Sequence, residues 1–361
     1  MNETEELGRI RERIDDLDAR IHELLNQRAA AAMEVARVKL AADPNAVFYR
    51  PEREAEVLRR VKERNSGPLG DEAVAWIFRE IMSACLALER PLRIAYLGPE
   101  GTFTQAAALR HFGHSVKAEP MGSISDVFQE VESEAAEYGV IPVENSSEGV
   151  VNHTLDMFIT SPLQICGEVS LRIHHNLLGR GQPLENIRKV FSHQQSLAQC
   201  RGWLDRHLPF VERVPVGSNA EAADLASQTE HSAAIAGLAA AELYGLDTLA
   251  ENIEDEADNT TRFLVVGRHT TKPSGDDKTS LLISTRNESG SLYRLLAPLA
   301  QHQISMTRIE SRPSRRENWD YVFFIDILGH RDDPELAPAL AELQALAGMY
   351  KELGSYPQAV L

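Results

Sequence analysis

The amino-acid sequence predicts a multi-domain protein with an all-α N-terminal region, an α/β middle region and a smaller α+β C-terminal region. The chain has 361 residues, which suits two or three domains of ordinary size. Its composition, 43% hydrophobic and 25% charged, is typical of globular domains with buried cores. The spacing of apolar residues changes near residues 91 and 269, and these two changes separate the three regions.

Charge and cysteine content narrow the classes of function. The formal net charge is −17, and so negative a surface repels nucleic acids and anionic lipids, so neither is predicted as a partner. Cys85, Cys166 and Cys200 are too few and too widely spaced for a disulfide framework or a metal cluster. The longest nearly apolar stretch, residues 233–241, is far shorter than the roughly 20 residues of a membrane span, and the first residues lack the apolar segment of a signal peptide. We therefore predict a cytoplasmic protein without a metal site.

The N-terminal region shows a helical, heptad-like pattern. Apolar or seam residues recur at alternating steps of three and four from Leu7 to Val38, which predicts one helix of about 35 residues, about 50 Å long. A helix of that length needs a partner helix along it. A second helix is predicted from Pro51 to about Asn65 and a third up to Pro91. We therefore predict an intertwined helical dimer.

Arg28 occupies a seam position where an apolar residue is expected. On the same helix Lys39 lies about 20° away around the axis and about 16 Å along it. A buried cation needs an anionic partner. Two interpretations follow: Arg28 pairs with a glutamate of a neighbouring helix, or it lines an interhelical pocket for a small polyanion.

The residues of this region resemble the all-helical chorismate mutase domain in both type and spacing. The resemblance covers nearly all of residues 5–90. It implies that Arg28 and the other subunit's Arg11 bind the two carboxylates of chorismate, and that Lys39 hydrogen-bonds the ether oxygen. The remaining pocket residues implied by it are Arg53, Glu54, Cys85 and Glu89. A Claisen rearrangement needs no nucleophile, metal or cofactor, so the protein acts by holding a compact conformer and stabilising charge on the ether oxygen.

Two positions depart from the family pattern. Arg50 stands where the family commonly has Asp, and Glu89 aligns with a glutamine that donates to the ether oxygen. Because an ionised carboxylate cannot donate, Glu89 must be protonated to replace the amide. Burial raises the pKa of such a group and nearby Lys39 lowers it. The alternative is an exposed glutamate at a fraying helix end.

The middle region alternates strand-like and helical segments, which predicts an α/β layered domain over about residues 92–268. Four polar loops follow or precede its strands, at residues 98–104, 141–149, 192–200 and 254–263. Glycines permit close approach of a ligand, and free N–H groups at a helix start favour anions. The loops together predict a cleft, although Asn and Ser at a helix start also serve as ordinary caps.

These loops contain GPEGTFT, PVENSSEG, SHQQSLAQC and NTTRF, and together they resemble prephenate dehydratase across residues 92–268. The resemblance implies two α/β subdomains with the active site between them. It makes Thr261 the general acid that protonates the departing hydroxyl, and either Arg262 or a helix N-terminus is the candidate neighbour that stabilises the alkoxide or relays a proton. Strand alternation points Arg262 away from Thr261, which argues against both facing the cleft. Further candidate contacts are Thr102, Asn145, Ser146, Ser192, Gln195, Thr260 and Arg262.

Three histidines in this region have other interpretations. His193 is a candidate base, but a lone histidine is more often a satisfied polar residue. His174 and His175 are neighbours in a strand-like run and point in opposite directions, so they do not predict a metal pair.

After a polar linker at residues 269–278, the order is β-α-β-β-α with room for a last strand, which is ferredoxin-like. The region 278–361 resembles the ACT domain, through the turn Gly290-Ser291-Leu292-Tyr293 and the motif Glu310-Ser311-Arg312-Pro313. This implies that phenylalanine binds between two such domains and inhibits the enzyme. The implied effector residues are Asn287, Gly290, Leu292, Glu310, Ser311 and Arg312. Tyr293 departs from the family pattern, and a purely structural dimerisation module is the alternative.

The three resemblances together identify the chain as similar to the bifunctional chorismate mutase–prephenate dehydratase family of phenylalanine biosynthesis. The predicted domains are 1–90, 92–268 and 278–361. Two other classes stay open. A mutase fused to a dehydrogenase requires G-x-G-x-x-G, and the nearest candidate, Gly179-Arg180-Gly181, has Leu184 in place of the third glycine. A non-catalytic sensor would bind prephenate or an amino acid without turnover.

Overall fold

The heptad-like seam forms one long helix in the computed structural model, which describes residues 3–44, 46–285, 288–313 and 321–361. The N-terminal region consists of helices α1 (Glu3–Ala42), α2 (Pro51–Arg64) and α3 (Asp71–Glu89). Helix α2 begins with Pro51. Proline has no N–H, and in the first turn of a helix an N–H would have no partner within the helix. The predicted three-helix order is therefore confirmed, and α1 is slightly longer than predicted.

Most of the apolar seam of α1 is uncovered within one chain. Leu24 is 60% exposed and Val38 is 67% exposed, and Ala36 is the one buried residue among the described residues of α1. Helix α3 packs against part of α1, and the rest of the seam faces outward. A stripe of this length and apolarity suits a partner helix.

The middle region begins with a sheet of mixed direction. Its strand order is β2-β1-β3-β11-β5, with the short β4 paired to β3; β1 is parallel to β2 and β3, and β11 is antiparallel to β3 and β5. The elements up to β5 are β1 (Arg93–Leu97), α4 (Phe103–Phe112), β2 (Lys117–Met121), α5 (Ile124–Glu132), β3 (Tyr138–Asn145), β4 (Gly149–Val150), α6 (Asn152–Thr160) and β5 (Gln164–Arg172).

A second sheet, ordered β10-β6-β9-β7-β8, forms the other half of this region. Its elements are β6 (Asn176–Gly179), β7 (Lys189–His193), α7 (Gln194–Gln199), α8 (Arg201–His207), β8 (Glu212–Val216), α9 (Asn219–Gln228), β9 (Ser232–Ala236), α10 (Leu238–Tyr244) and β10 (Asp247–Ala250). The chain then returns to the first sheet as β11 (Thr260–Gly267). Two α/β subdomains result, as the resemblance implied. The loops after β1, β3, β7 and β9 lie where the subdomains face each other.

The C-terminal region is a four-stranded antiparallel sheet with two helices on one face. Its elements are β12 (Asp277–Ser284), α11 (Ser291–Gln301), β13 (Met306–Pro313), β14 (Tyr321–Leu328), α12 (Ala337–Leu346) and β15 (Met349–Pro357). The strand order is β13-β14-β12-β15, which is the ferredoxin-like order that the sequence predicts.

The C-terminal sheet shares an apolar core with the middle region. Phe324 and Tyr356 of the sheet pack with Phe158 of α6 and Leu264 of β11. Strand β15 lies so close to β5 that a Cβ at Gly354, where φ is +145°, would overlap the backbone of Ile165. The predicted linker therefore leads directly into a packed interface rather than to a loosely tethered domain.

Within the described part of the chain, no helix combines the length and the apolar composition that crossing a bilayer requires.

Candidate functional site

The helical region contains a cavity of about 260 Å³ whose lining is rich in cations. Arg28 and Lys39 reach it from α1, and Arg50 and Arg53 from the start of α2. Lys39 Nζ lies 3.4 Å from the carbonyl oxygen of Phe48 and above its ring. The remaining lining residues are Ala32, Phe48, Tyr49, Glu54, Val57, Met82, Cys85, Leu86 and Glu89. Four cations against two carboxylates give the cavity a positive charge that suits a dianion.

The two carboxylates of this cavity are in different situations. Glu54 is paired with the buried Arg79 of α3, so it is neutralised by the protein itself. Partial burial raises the pKa of Glu89, while Lys39 and Arg28 act in the opposite direction. The balance favours retention of a proton on Glu89 to higher pH than in a free glutamate.

A larger cleft, of about 910 Å³, separates the two α/β subdomains. The loop before α4, the end of β3 and the start of β11 form one wall, and the starts of α7 and α9 form the opposite wall. In α/β sheets the loops beyond the carboxyl ends of strands gather at one edge, which explains why motifs distant in sequence meet here. The cleft lies where both subdomains contribute side chains.

Thr261 and Asn145 are hydrogen-bonded to each other at the first wall. Asn145 Nδ2 donates to Thr261 Oγ1 over 2.8 Å, and strands β3 and β11 pair these two residues directly. Thr261 is 9% exposed. When a buried hydroxyl accepts a hydrogen bond, the donor stabilises the negative charge of the alkoxide and so lowers the cost of losing the proton.

The cleft contrasts with the helical cavity in its charges. Among the described residues that line it there is neither a lysine nor an arginine. Its charged lining residues are three carboxylates, Glu148, Glu221 and Asp224, and neutral donors such as Thr102 and Gln195 face it together with two histidines. Any anion bound here is held mainly by hydrogen bonds rather than by ion pairs.

A third cavity, of about 260 Å³, opens beside the start of α11 in the C-terminal region. Its lining residues are Thr285, Glu288, Gly290, Ser291, Leu292, Tyr293, Tyr321 and Phe323. Gly290 precedes the helix with a left-handed backbone conformation, φ +76°, which a side chain disfavours.

Comparison with known proteins gives three consecutive family matches. Residues 10–90 match chorismate mutase type II, residues 94–271 match prephenate dehydratase and residues 279–345 match the ACT domain. A protein of Stutzerimonas stutzeri named bifunctional chorismate mutase/prephenate dehydratase is 57% identical over the full length of both chains.

The chain belongs to the bifunctional chorismate mutase/prephenate dehydratase family.

Two further comparisons agree with this assignment. A Pseudomonas aeruginosa protein of the same name is 55% identical over the full length of both chains. The crystal structure of prephenate dehydratase from Arthrobacter aurescens in complex with L-Phe is 34% identical, covers 74% of this chain and 90% of that chain, and gives a TM-score of 0.68. The predicted family and fold class are therefore confirmed.

In the mutase domain the structure brings six of the seven predicted residues together. Arg28, Lys39, Arg53, Glu54, Cys85 and Glu89 line one cavity. Arg11 does not, because it lies 17 residues before Arg28 on the continuous helix α1, which is about 25 Å. Of the two interpretations of Arg28, the cavity favours the interhelical pocket.

In the dehydratase domain Thr102, Asn145, Gln195 and Thr261 line the cleft, but three other predicted contacts do not. Ser192 is fully buried and donates to Asn219 Oδ1 over 2.9 Å. Ser146 and Thr260 join two loops through the Ser146 hydroxyl and the Thr260 N–H, 3.0 Å apart. None of the three lines the cleft in this structure, and their role as substrate contacts stays a prediction.

Arg262 is a further correction. It points to the opposite face of β11 from Thr261, as strand alternation requires, and its guanidinium bonds Glu168 at 2.8 Å and Asp326 at 2.5 Å. Lys278 Nζ completes the cluster 2.8 Å from Glu168. Arg262 therefore joins the dehydratase and ACT domains and is not a cleft residue.

The predicted effector residues are divided between two faces of the ACT sheet. Gly290 and Leu292 line the third cavity, and Ser311 pairs across strands with Phe323, which also lines it. Glu310 and Arg312 have the opposite orientation: Arg312 Nη2 bonds Asp156 of α6 over 2.8 Å, and Glu310 pairs with Phe324 of the shared core. Within one chain Glu310 and Arg312 therefore do not lie beside Gly290, and their role in binding the effector between two ACT domains stays a prediction. Asn287 lies outside the described residues.

Sequence reasoning missed three polar residues: His175 and Gln199, which line the cleft, and Asn259, which is buried behind them. Gln199 is the last residue but one of the SHQQSLAQC motif and Asn259 begins NTTRF, so both lie inside the motifs that predict the cleft. Their importance depends on hydrogen bonds to residues far away in the chain, which the motifs do not reveal.

Proposed function

We propose that this chain rearranges chorismate to prephenate in the helical cavity, then decarboxylates and dehydrates prephenate to phenylpyruvate in the cleft, with phenylalanine as inhibitory effector. The observation that carries this proposal is the pair of sites itself. One is a cavity lined by four cations, and the other holds a buried threonine whose hydroxyl accepts a hydrogen bond from an amide.

The mutase reaction needs only binding, conformational restriction and charge stabilisation. Arg28 binds a carboxylate of chorismate, and Lys39 donates to the ether oxygen, on which negative charge develops. Arg53 and Glu54 form the pocket wall, with Glu54 fixed by its pair with Arg79. Arg50, where the family commonly has Asp, adds a further cation to the lining.

We expect mutase activity to fall as pH rises through the raised pKa of Glu89. The protonated carboxyl donates to the ether oxygen and the carboxylate cannot, so activity is present below this pKa and lost above it. The Glu89→Gln variant keeps a donor at every pH and should lose this dependence. Mutase kcat measured between pH 5 and 9 checks it, with Glu72→Gln, exposed at the far end of α3, as control. A Glu89→Gln profile that matches the wild type would contradict the role of Glu89.

In the cleft the breaking of two bonds is coupled. The bond between the ring and its carboxylate breaks and carbon dioxide leaves, the electron pair of that bond completes the aromatic ring, and the hydroxyl leaves. Thr261 gives its proton to this hydroxyl, which departs as water, and the resulting alkoxide is stabilised by the N–H of Asn145, 2.8 Å away. Asn145 therefore takes the role for which the sequence offered Arg262.

The mutase site is completed by a second copy of the chain. The uncovered seam of α1 supports a homodimer, and Arg11 is too far from the cavity of its own chain to reach it. We expect Arg11→Ala and Arg28→Ala to lose mutase activity when separate. After the two variants are mixed, unfolded and refolded together, about a quarter of the sites should regain both arginines, because half of the dimers are mixed and each has one intact site. Absence of any recovery would place Arg11 outside the site.

Phenylalanine is proposed to bind the Gly290 cavity of the ACT domain, beside a second ACT domain. Arg312 contacts Asp156 over 2.8 Å, and Arg308 contacts Glu144 over 3.0 Å. These contacts support a route of inhibition to the cleft, because Glu144 precedes Asn145. The proposed domains extend over residues 1–90, 92–268 and 278–361. The three cysteines are free and buried, which suits a cytoplasmic location.

The test of the proposed function is to supply chorismate with and without phenylalanine and to follow prephenate and phenylpyruvate. Both products should form, and phenylalanine should lower phenylpyruvate production more than prephenate production. Binding of prephenate without turnover would show a sensor instead of an enzyme.

A further inference from the structure

A chain of hydrogen bonds starts at the loop after β3, and its direction is fixed by the backbone. Asn145 Oδ1 accepts from the backbone N–H groups of Ser147 and Glu148, each over 3.0 Å. A backbone N–H can only donate, so Oδ1 must face these two groups. Asn145 Nδ2 is therefore the atom that faces Thr261 and Asn259.

The assignment passes from residue to residue into the second subdomain. Asn145 Nδ2 donates to Asn259 Oδ1 over 2.8 Å, so Asn259 presents its own Nδ2 to Gln199 Oε1, 3.2 Å away. The same oxygen lies 2.7 Å from His175 Nε2. Because Oε1 can only accept, Nε2 carries the proton. Burial lowers the pKa of His175, which keeps this ring neutral near pH 7.

The direction of the chain determines where the proton of Thr261 points. The two hydrogens of Asn145 Nδ2 are used on Asn259 and on Thr261. Thr261 Oγ1 is thus an acceptor towards Asn145, and in the described residues no acceptor is bonded to its hydroxyl hydrogen. That hydrogen is free to point into the cleft, where a leaving hydroxyl would receive it.

We propose that Asn259 is a positioning residue for the dehydratase step: it fixes the amide of Asn145 so that Thr261 presents its proton to the substrate. This inference rests on the proposed role of Thr261 as the acid. Asn259 is 2% exposed and does not line the cleft, so it acts through Asn145. Gln199 and His175 anchor its other end.

Only a group that accepts at one end and donates at the other can fill position 259. An aspartate carboxylate would accept from Asn145 but would place a second acceptor against Gln199 Oε1. The protonated carboxyl would again accept and donate, as the amide does. The variant Asn259→Asp therefore tests the direction of the hydrogen bonds as well as their presence.

We expect dehydratase kcat of Asn259→Asp to fall about 10- to 100-fold near pH 7, since misplacement of a reacting group by about 1 Å has effects of this size. The KM for prephenate should change little, because Asn259 does not touch the cleft. As pH falls and the new carboxyl is protonated, kcat relative to wild type should recover. The experiment measures kcat and KM for prephenate from pH 5 to 8 on the full-length protein, with mutase activity confirming that the chain is folded.

A matched control is Asn176→Asp. Asn176 is also 2% exposed and adjoins His175, but its Oδ1 accepts from the backbone of Asn252 and it stands outside the chain of hydrogen bonds. This variant should keep the pH dependence of wild-type kcat. If Asn259→Asp does not fold, Asn259→Ser removes the amide without adding charge and should lower kcat with no recovery at low pH.

The outcomes separate the two levels of inference. Wild-type kcat in both Asn259 variants, or equal acid recovery in Asn176→Asp, would overturn the positioning role while leaving Thr261 in place. Undiminished activity of Thr261→Ala, measured beside them, would instead overturn the proposed function of the cleft.

Discussion

Thr261→Ala is expected to lower dehydratase kcat by about 10²- to 10⁴-fold, the usual contribution of a positioned general acid. The hydroxyl is the proton donor in the cleft, and its alkoxide is stabilised by Asn145 Nδ2 at 2.8 Å. Alanine removes both the proton and the acceptor of that hydrogen bond. The formation of phenylpyruvate from prephenate, followed by its absorbance, measures the loss.

The same preparation contains its own control. The mutase cavity is built from α1, α2 and α3, so its activity should be unchanged in Thr261→Ala, which shows that the chain is folded. Thr261→Ser keeps a hydroxyl and should retain much more activity than alanine. Equal, large losses in the serine and alanine variants would indicate a packing role for the threonine methyl group rather than proton transfer.

The second large effect is expected at Lys39. Its Nζ lines the helical cavity close to Glu89 and Arg28, and it is the proposed donor to the ether oxygen. Removal of one such donor typically costs about 10²- to 10³-fold in kcat. We expect a loss of this size in mutase kcat for Lys39→Ala, measured by the disappearance of chorismate.

Arg37→Ala provides the matched control, because Arg37 is a cation two residues earlier on the same helix but is exposed and does not line the cavity. It should keep mutase kcat within about threefold of wild type, since surface substitutions have small effects. Dehydratase activity should be unaffected by either change. If both variants lost mutase activity equally, general stabilisation by positive charge would explain the result better than donation by Lys39.

Much of the architecture follows from patterns of neighbouring residues. The apolar residues of the α1 seam recur every three and four residues, and the α-helix is the regular structure that places such residues on one face. Alternation in β11 separates Thr261 from Arg262 for the same local reason, and the structure confirms that separation. The loops that contain the motifs were likewise visible because glycine and polar residues interrupt the strands.

The identity of each side chain's partner was decided by the tertiary structure. Asn145 meets Thr261 across 116 residues of sequence, and Asn259 meets Gln199 across 60. Arg262 and Arg312 are held by the ACT interface and by α6, so neither joins the ligand cavity that its motif suggested. A local pattern fixes only the direction in which a side chain points. What it meets there depends on how the chain crosses between sheets and domains, and that crossing is set by packing of the whole core.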